Sequence, residues 1–413
     1  MPDEIFELKN LEELLFSSPG RSRKRREIIG KKLLSKKIGQ LKNLKRLYLS
    51  GLVIEILPDE IGALHNLEIL GLRLDNLFHL PSKIGQLKNL KELHILGGPI
   101  AKIPKEIGQL KNLEDLKIRS TRKRSGMESS LNIHSIPLTS AIGQLQKLTR
   151  LTLRGFKLDQ IPKEIGNLTK LKSLNLRDNQ IAALPKEIGN LHRLQRLLLN
   201  ANVLMGLPPE IGNLKQLKTL NLEQNKLIEL PKEFGKLRQL EAIELDKNEL
   251  TNLPPEIGQM KAVHRIFLSH NKLVEIPAEI GQIDPLVLLY AWANQLKTIP
   301  PEMGNLNRLG YILLNDNQIK SIPKEIFNAP RLNKLAIHNN QLTKIPASIV
   351  DNMNLKKLNF SHNQLTELPE DIHKMINLKN LDLTNNPIPL SFIKKLEWLL
   401  PSCEIKFPLP KVP

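Results

Sequence analysis

The amino-acid sequence predicts an α/β solenoid, a curved horseshoe with a parallel inner β-sheet and short helical turns on its convex side. Three observations predict it. A proline recurs every 23 residues from Pro162 to Pro369, and leucine or isoleucine recurs at fixed positions between these prolines. Of the 413 residues, 40% are apolar but only 4% aromatic, so the core must be built from aliphatic side chains. A fixed period of this length is typical of a chain that stacks one small unit on the next.

A single repeat shows how each element is predicted. Leu174 and Leu176 alternate with polar neighbours, which indicates a short strand with one buried face. Pro185 suits the first position of a helical turn, because its missing N–H needs no partner there. Ile188 and Leu191 lie three residues apart and are expected to turn inward from that turn.

The full pattern, LxxLxLxxNxLxxLPxEIGxLxx, resembles the leucine-rich repeat (LRR) family in its 23-residue subtype, which occurs in bacteria and in Ras-group scaffolds. The resemblance implies an LRR solenoid over residues 1–389, with insertions near 17–34 and 121–130, followed by a capping segment at 390–413. About sixteen repeats begin at Leu11, Leu44, Leu67, Leu90, Leu113, Leu148, Leu171, Leu194, Leu217, Leu240, Val263, Leu286, Leu309, Leu332, Leu355 and Leu378.

An asparagine occupies one position in ten successive repeats. Its amide has two donors and an acceptor, so stacked copies are expected to form a structural ladder that satisfies the backbone where the chain leaves each strand. The ladder consists of Asn179, Asn202, Asn225, Asn248, Asn271, Asn294, Asn317, Asn340, Asn363 and Asn386. Earlier repeats carry Asp75, Gly98 and Phe156 at this position, so we expect them to be less regular.

The last repeat needs a cap, because its apolar edge has no following repeat to cover it. The segment from Leu390 to Pro401 reads as an amphipathic helix, and Ile405 and Phe407 are expected to add a strand-like cover. Cys403, the one cysteine of the sequence, is expected to pack within this cap.

The formal net charge of +19 is concentrated in two short runs, which carry +11 of it. Both runs lie in lengthened repeats, where insertions map to loops that often bind partners. Two basic loops are expected either to hold an acidic or anionic partner, or to be simply solvated. Their named members are Arg21, Arg23, Lys24, Arg25 and Arg26 in the first loop, and Arg119, Arg122, Lys123 and Arg124 in the second.

The concave face is the predicted binding surface. Most repeats place polar side chains there, but three consecutive repeats place aromatic and apolar ones, with an acidic border on one side. Trp, Tyr and Arg dominate interface hot spots, so this cluster is expected to bind a partner protein. The other interpretation is that the rings only stabilise one another across the strands. The candidate residues are His264, Arg265, Phe267, Tyr290, Trp292, Tyr311 and Leu313, bordered by Glu244 and Asp246.

The sequence predicts neither an enzyme nor a cofactor or metal site. The glycines of the EIG elements recur with the repeat, so they do not form a phosphate-binding loop. His338 and His362 lie in adjacent repeats, but two imidazoles are a weak metal signal, and exposed histidines are the favoured interpretation. There is no apolar run long enough to span a membrane and no visible signal peptide. A cytoplasmic protein is therefore expected, or an exported one if residues precede Met1.

The sequence is compatible with three functions. The first is a non-enzymatic scaffold that binds a partner protein through the concave face. The second is the substrate-recognition arm of a secreted bacterial LRR effector of the ubiquitin-ligase type, lacking its catalytic domain. The third is a binder of anionic lipid or nucleic-acid phosphate that uses the two basic loops. Salt dependence separates the first from the third, because phosphate contacts weaken steeply with salt.

Overall fold

The structure, a computed structural model, describes residues 3–17, 34–100, 102–120 and 138–407. The chain divides into two compact units, Met1–Leu204 and Met205–Pro413, which we call the N-terminal and C-terminal units. Each unit alternates short strands with short 3₁₀ helices, as the repeat pattern predicts.

In the described residues of the N-terminal unit, eight parallel strands pair in chain order. They are β1 (Glu13–Ser17), β2 (Arg46–Ser50), β3 (Ile69–Arg73), β4 (Glu92–Leu96), β5 (Asp115–Arg119), β6 (Arg150–Arg154), β7 (Ser173–Asn175) and β8 (Arg196–Leu198). The 3₁₀ helices span Asp3–Glu7, Lys36–Gln40, Asp59–Ala63, Ser82–Gln86, Lys105–Gln109, Ser140–Gln144, Lys163–Asn167 and Lys186–Asn190.

From residue 205 to residue 407, nine parallel strands of the C-terminal unit pair in chain order. They are β9 (Thr219–Asn221), β10 (Ala242–Glu244), β11 (Arg265–Phe267), β12 (Leu288–Tyr290), β13 (Tyr311–Leu313), β14 (Lys334–Ala336), β15 (Lys357–Asn359), β16 (Asn380–Asp382) and β17 (Glu404–Lys406). The 3₁₀ helices span Pro209–Asn213, Lys232–Lys236, Pro255–Gln259, Ala278–Gln282, Pro301–Asn305, Lys324–Asn328, Ala347–Asp351 and Glu370–Lys374, and one α-helix, α1, spans Leu390–Leu399.

The core lies between the strands and the 3₁₀ helices of each unit and is almost entirely aliphatic. Leu174, Leu176, Ile188 and Leu191 are all fully buried, as their spacing predicts. The leucine or isoleucine at the second position of each strand lies opposite that of the next strand, as Leu174 does to Leu197. The apolar edge of one repeat is thus covered by its neighbour.

The repeated proline does not occupy the helical position predicted for it. Pro185 is the N-cap residue, with extended backbone (φ −69°, ψ 147°), and the helix begins one residue later at Lys186. Its carbonyl accepts the N–H of Ile188 at 3.0 Å, which is the first hydrogen bond of the helix. A proline lacks an N–H at either position, so residue type alone does not separate the two. In the three Pro-Pro repeats the second proline, as at Pro209, does begin the helix.

The glycine of the EIG element lies in close contact with the next repeat in most of the repeats that carry it. A Cβ atom on Gly166 would lie 2.6 Å from the carbonyl oxygen of Glu187 in the next repeat. Any side chain there would force the two 3₁₀ helices apart, which agrees with a packing role for this glycine.

The ladder asparagines are all buried and bridge adjacent repeats. The Oδ1 atom of Asn271 accepts the N–H of Leu250 at 3.0 Å. Its Nδ2 atom donates to the carbonyl of Leu268 at 2.9 Å and to that of Leu245, in the preceding repeat, at 3.0 Å. The carbonyl of Leu245 also accepts from Asn248, so consecutive ladder residues share an acceptor.

The residue before each ladder asparagine has left-handed backbone. These residues have φ between 54° and 57°, and none of them is a glycine. They are Asp178, Ala201, Gln224, Lys247, His270, Ala293, Asp316, Asn339, His362 and Asn385. The strands are three residues long from β7 onward, where the ladder begins, and five residues long in β1 to β6.

The C-terminal end of the described chain is covered by α1 and β17. The helix buries Ile393 and Leu396, and β17 pairs with β16 so that Ile405 lies opposite Leu381. Trp398 is instead 81% exposed on the outer side of this helix. The amphipathic pattern of the segment therefore leaves its largest side chain in solvent.

Candidate partner-binding face

The strands of the C-terminal unit present one face to the core and the other to solvent. In β11, Ile266 is buried, whereas Arg265 is exposed and Phe267 is partly exposed. We call the solvent side of β9 to β17 the open face; it carries the first and third residue of each strand and the side chains that follow the strand. The parallel register sets these residues in rows: Glu244, Phe267, Tyr290 and Leu313 form one row, and Arg265, Leu288, Tyr311 and Lys334 form another.

The aromatic patch is the set Phe267, Leu288, Tyr290, Trp292, Tyr311 and Leu313 on β11 to β13 and just beyond them. The rings of Phe267 and Tyr290 meet edge-on, with centroids 5.5 Å apart. The ring of Trp292 meets that of His270 at 4.1 Å and an interplanar angle of 69°. Tyr311 is the most open of the set at 41% exposure, and the others are partly buried. The rings therefore contact one another and also present edges to solvent.

Two half-buried carboxylates lie on the β10 side of the patch. Asn221 donates its side-chain N–H to Glu244, and the backbone N–H of Ser269 donates to Oδ1 of Asp246 at 2.6 Å. Burial raises the pKa of Glu244, opposed by the nearby charge of Arg265. Burial also raises the pKa of Asp246, opposed by its hydrogen bond from Ser269.

Two lysines lie on the β14 side of the patch. Lys334 and Lys357 are direct partners in the parallel register of β14 and β15. Lys357 is exposed and Lys334 is partly exposed. A depression on the open face is lined by both of them together with Asn359, Asp382, Glu404 and Lys406. Sequence reasoning missed this pair, although two lysines 23 residues apart at one repeat position are visible in the sequence.

Comparison with protein families supports the resemblance stated from the repeat pattern. A model described as a leucine-rich repeat region matches residues 28–135 and 127–220, and a second, described as leucine rich repeat, matches 192–250 and 330–388. A solved LRR protein of Leptospira interrogans is 35% identical, with a TM-score of 0.71 over 98% of this chain and 92% of that one. The chain belongs to the leucine-rich repeat family.

Two plant receptors are also similar to this LRR protein. The plant peptide hormone receptor RGFR1, solved in complex with RGF2, is 30% identical over 92% of this chain, with a TM-score of 0.70. The Arabidopsis receptor kinase HAESA, solved with the peptide hormone IDA and the co-receptor SERK1, is 26% identical over 94% of this chain, with a TM-score of 0.71. This chain spans 64% of each receptor chain. A search of curated proteins gives no significant match.

The histidines of the LRR protein do not form a metal site in the described part of the chain, where no group of three or more His, Cys, Asp or Glu side chains is placed to hold a metal ion. His362 is exposed, as expected, but His338 is half-buried. Burial lowers the pKa of His338 despite the nearby carboxylate of Asp316. In the capping segment, burial raises the pKa of the Cys403 thiol to about 11.

Most of the two predicted basic loops lies outside the described residues, namely Arg21, Arg23, Lys24, Arg25, Arg26, Arg122, Lys123 and Arg124. Arg119 is described and ends β5 as a partly buried residue. Among the described helices, none combines the length and the apolar character that crossing a membrane requires.

The open strand side of the N-terminal unit carries a charge network that sequence reasoning did not identify. Asp115 lies 2.7 Å from Nε of Arg150 and 3.2 Å from Nε2 of His94, on the two neighbouring strands. Burial raises the pKa of Asp115, but the contacts with His94 and Arg150 outweigh it and the net shift is downward. The charges here are neutralised across the strands.

Proposed function

We propose that this LRR protein is a non-enzymatic binding scaffold that recognises a partner protein or peptide through the aromatic patch. The observation that carries the proposal is the open-face position of Tyr290, Trp292 and Tyr311 within two neighbouring repeats. Rings of this kind dominate the energetics of protein interfaces, and apolar side chains clustered in solvent reduce solubility unless a partner covers them. His264 and Arg265 lie exposed at the edge of the patch and are proposed to contact the rim of the partner.

Similar proteins support a binding role. LRR folds commonly mediate protein–protein interaction, and both plant receptors described above were solved in complex with a partner. These complexes support binding as the role of this chain and do not identify its partner.

The test is a capture experiment with the two tryptophans of the chain as a matched pair. Trp292 lies in the aromatic patch, and Trp398 is the exposed tryptophan of α1. Wild-type, Trp292→Ala and Trp398→Ala chains are immobilised, exposed to lysate of the source organism, and scored for proteins that bind wild type. Loss of an interface anchor costs about 2 kcal/mol or more, so Trp292→Ala should weaken the complex by roughly thirtyfold, and Trp398→Ala should bind normally.

Circular dichroism melts of all three chains verify that the variants are folded. Equal capture by Trp292→Ala and wild type would refute the proposal. Repeating the capture at low and moderate salt tests the basic-loop alternative, because a complex that is lost steeply with salt and is indifferent to Trp292 is held by phosphate-type contacts.

A further inference from the structure

Several charged side chains on the solvent sides of the strands are neutralised by a neighbouring repeat. Nitrogen–oxygen distances of 2.7 to 2.9 Å join Lys91 to Glu68, Arg150 to Asp115 and Lys247 to Glu223. Such lateral pairing is the expected solution, since opposite charges on adjacent strands stabilise a sheet and like charges destabilise it.

The charges beside the aromatic patch are not paired in this way. Among the described residues, no basic nitrogen lies within ion-pair distance of the Glu244 or Asp246 carboxylates, although both are half-buried. Lys334 and Lys357 stand directly opposite each other, and in the same described ranges neither reaches a carboxylate at that distance. Burial of an unneutralised carboxylate and juxtaposition of two ammonium groups both cost stability.

The two unneutralised pairs flank the aromatic patch on opposite sides. Glu244 is on β10, the patch occupies β11 to β13, and Lys334 and Lys357 are on β14 and β15. Four strand steps from β10 to β14 correspond to about 19 Å at the usual strand separation, which an extended peptide of about six residues would span. Arg265, exposed on β11, reduces the negative charge at the β10 side, and the exposed Glu241 adds to it.

We infer that the open face takes an extended peptide segment of about six residues with charges of opposite sign at its two ends. Its basic end lies over Glu244 and Asp246, its apolar middle covers the aromatic patch, and its acidic end or terminal carboxylate lies over Lys334 and Lys357. The inference rests on the proposed function and specifies the chemistry of the partner. Complementary charge at both ends fixes the direction of the peptide across the strands and discriminates against segments with like-charged ends.

A display library of random octapeptides, selected on the full chain, tests the inference without knowledge of the natural partner. Enriched peptides are expected to carry Lys or Arg at one end, apolar or aromatic residues in the middle, and Asp, Glu or a free carboxylate at the other end. Two of the enriched peptides are then synthesised, and their affinities for the full chain are measured by fluorescence anisotropy. Enrichment of peptides without this charge polarity, or no enrichment at all, would overturn the inference.

Charge reversal in the protein gives the sharper test. Glu244→Lys is expected to weaken a selected peptide at least tenfold, and replacing the basic end of that peptide with glutamate should restore binding to the variant. Lys357→Glu should show the mirror result at the acidic end. The matched controls are Glu275→Lys and Lys297→Glu, which reverse exposed charges outside the strands and should leave binding unchanged. Equal weakening by the controls, or no rescue by the swapped peptides, would contradict the inference.

Two outcomes separate this inference from the proposed function. If selected peptides lose binding with Trp292→Ala but bind both charge-reversal variants normally, the patch binds a partner and the inference of a bipolar peptide is wrong. If Trp292→Ala leaves binding unchanged, the proposed function itself is wrong.

A dimer of this chain in sedimentation velocity that dissociates with Trp292→Ala would assign the open face to a second copy and overturn the peptide inference.

Discussion

The ring of Phe267 meets the ring of Tyr290 edge-on, with centroids 5.5 Å apart and planes at 83°. The two residues are direct partners in the register of β11 and β12, so the repeat itself fixes the contact. An edge-to-face arrangement places the positive ring edge against the negative ring face, which is favourable beyond the area buried. The aromatic patch therefore contributes to the stability of the sheet, whatever it binds.

A double-mutant cycle measures this contribution. Phe267→Leu and Tyr290→Leu, alone and together, should give a coupling of about 1 kcal/mol in urea unfolding of the full chain, because the leucines keep the apolar surface and remove the ring–ring term. Phe267→Leu combined with Lys406→Ala, six strands along the sheet on β17, is the control and should be additive. A coupling indistinguishable from that control would mean that the rings are neighbours without a specific interaction.

The sequence predicted the framework of the fold, but not the lysine pair beside the aromatic patch. Burial of Leu174 and Leu176 follows from spacing alone, because equivalent positions of successive repeats pack against the same neighbouring positions. The one-residue error at Pro185 arose because proline suits both the N-cap and the first helical position, and only the backbone angles distinguish them. The absence, within the described ranges, of a carboxylate at ion-pair distance from Lys334 depends on how side chains extend across strands, which repeat periodicity does not encode.

The ladder asparagines should be among the most sensitive polar positions of the chain. Asn271→Ala leaves the buried N–H of Leu250 without its acceptor and removes the Nδ2 bonds to Leu245 and Leu268, together with a longer one of 3.4 Å to Ser269. An orphaned buried donor costs about 1–3 kcal/mol and each lost bond to a carbonyl about 1 kcal/mol, so we expect a loss of about 3 kcal/mol in the free energy of unfolding. Gln318→Ala, an exposed position that follows the ladder residue of a later repeat, should change it by less than about 0.5 kcal/mol. Comparable losses for the two variants in urea unfolding would show that the ladder hydrogen bonds do not stabilise the fold more than an exposed side chain does.

At the left-handed positions before the ladder asparagines, glycine is expected to raise the free energy of unfolding, whereas it lowers it at most other positions. Gln224 has φ 57° and an exposed side chain, and its N–H donates to the carbonyl of Asp246 at 2.9 Å, a bond that glycine retains. Relief of about 1–2 kcal/mol of left-handed strain outweighs the greater chain entropy of glycine, so Gln224→Gly should raise the free energy of unfolding by about 0.5–1 kcal/mol. Lys226→Gly, two residues on and outside the left-handed region, should lower it. The opposite order of the two variants in thermal melts would contradict the strain argument.

The buried carboxylate of Glu244 should make the stability of the C-terminal unit depend on pH. Burial raises its pKa above the ordinary value of 4.5, so the protonated form is favoured in the folded chain. The stability that this group contributes is full below about pH 4 and is lost as the pH rises through the raised pKa. Glu244→Gln, which cannot ionise, should therefore be more stable than wild type at pH 7, and this advantage should shrink as the pH falls toward 4.

Glu241→Gln, exposed at the start of the same repeat, controls for the removal of one negative charge. Urea unfolding at pH 4, 5, 6 and 7 checks the trend, and an advantage of Glu244→Gln that does not change across this range would show that burial of the carboxylate is not its cause.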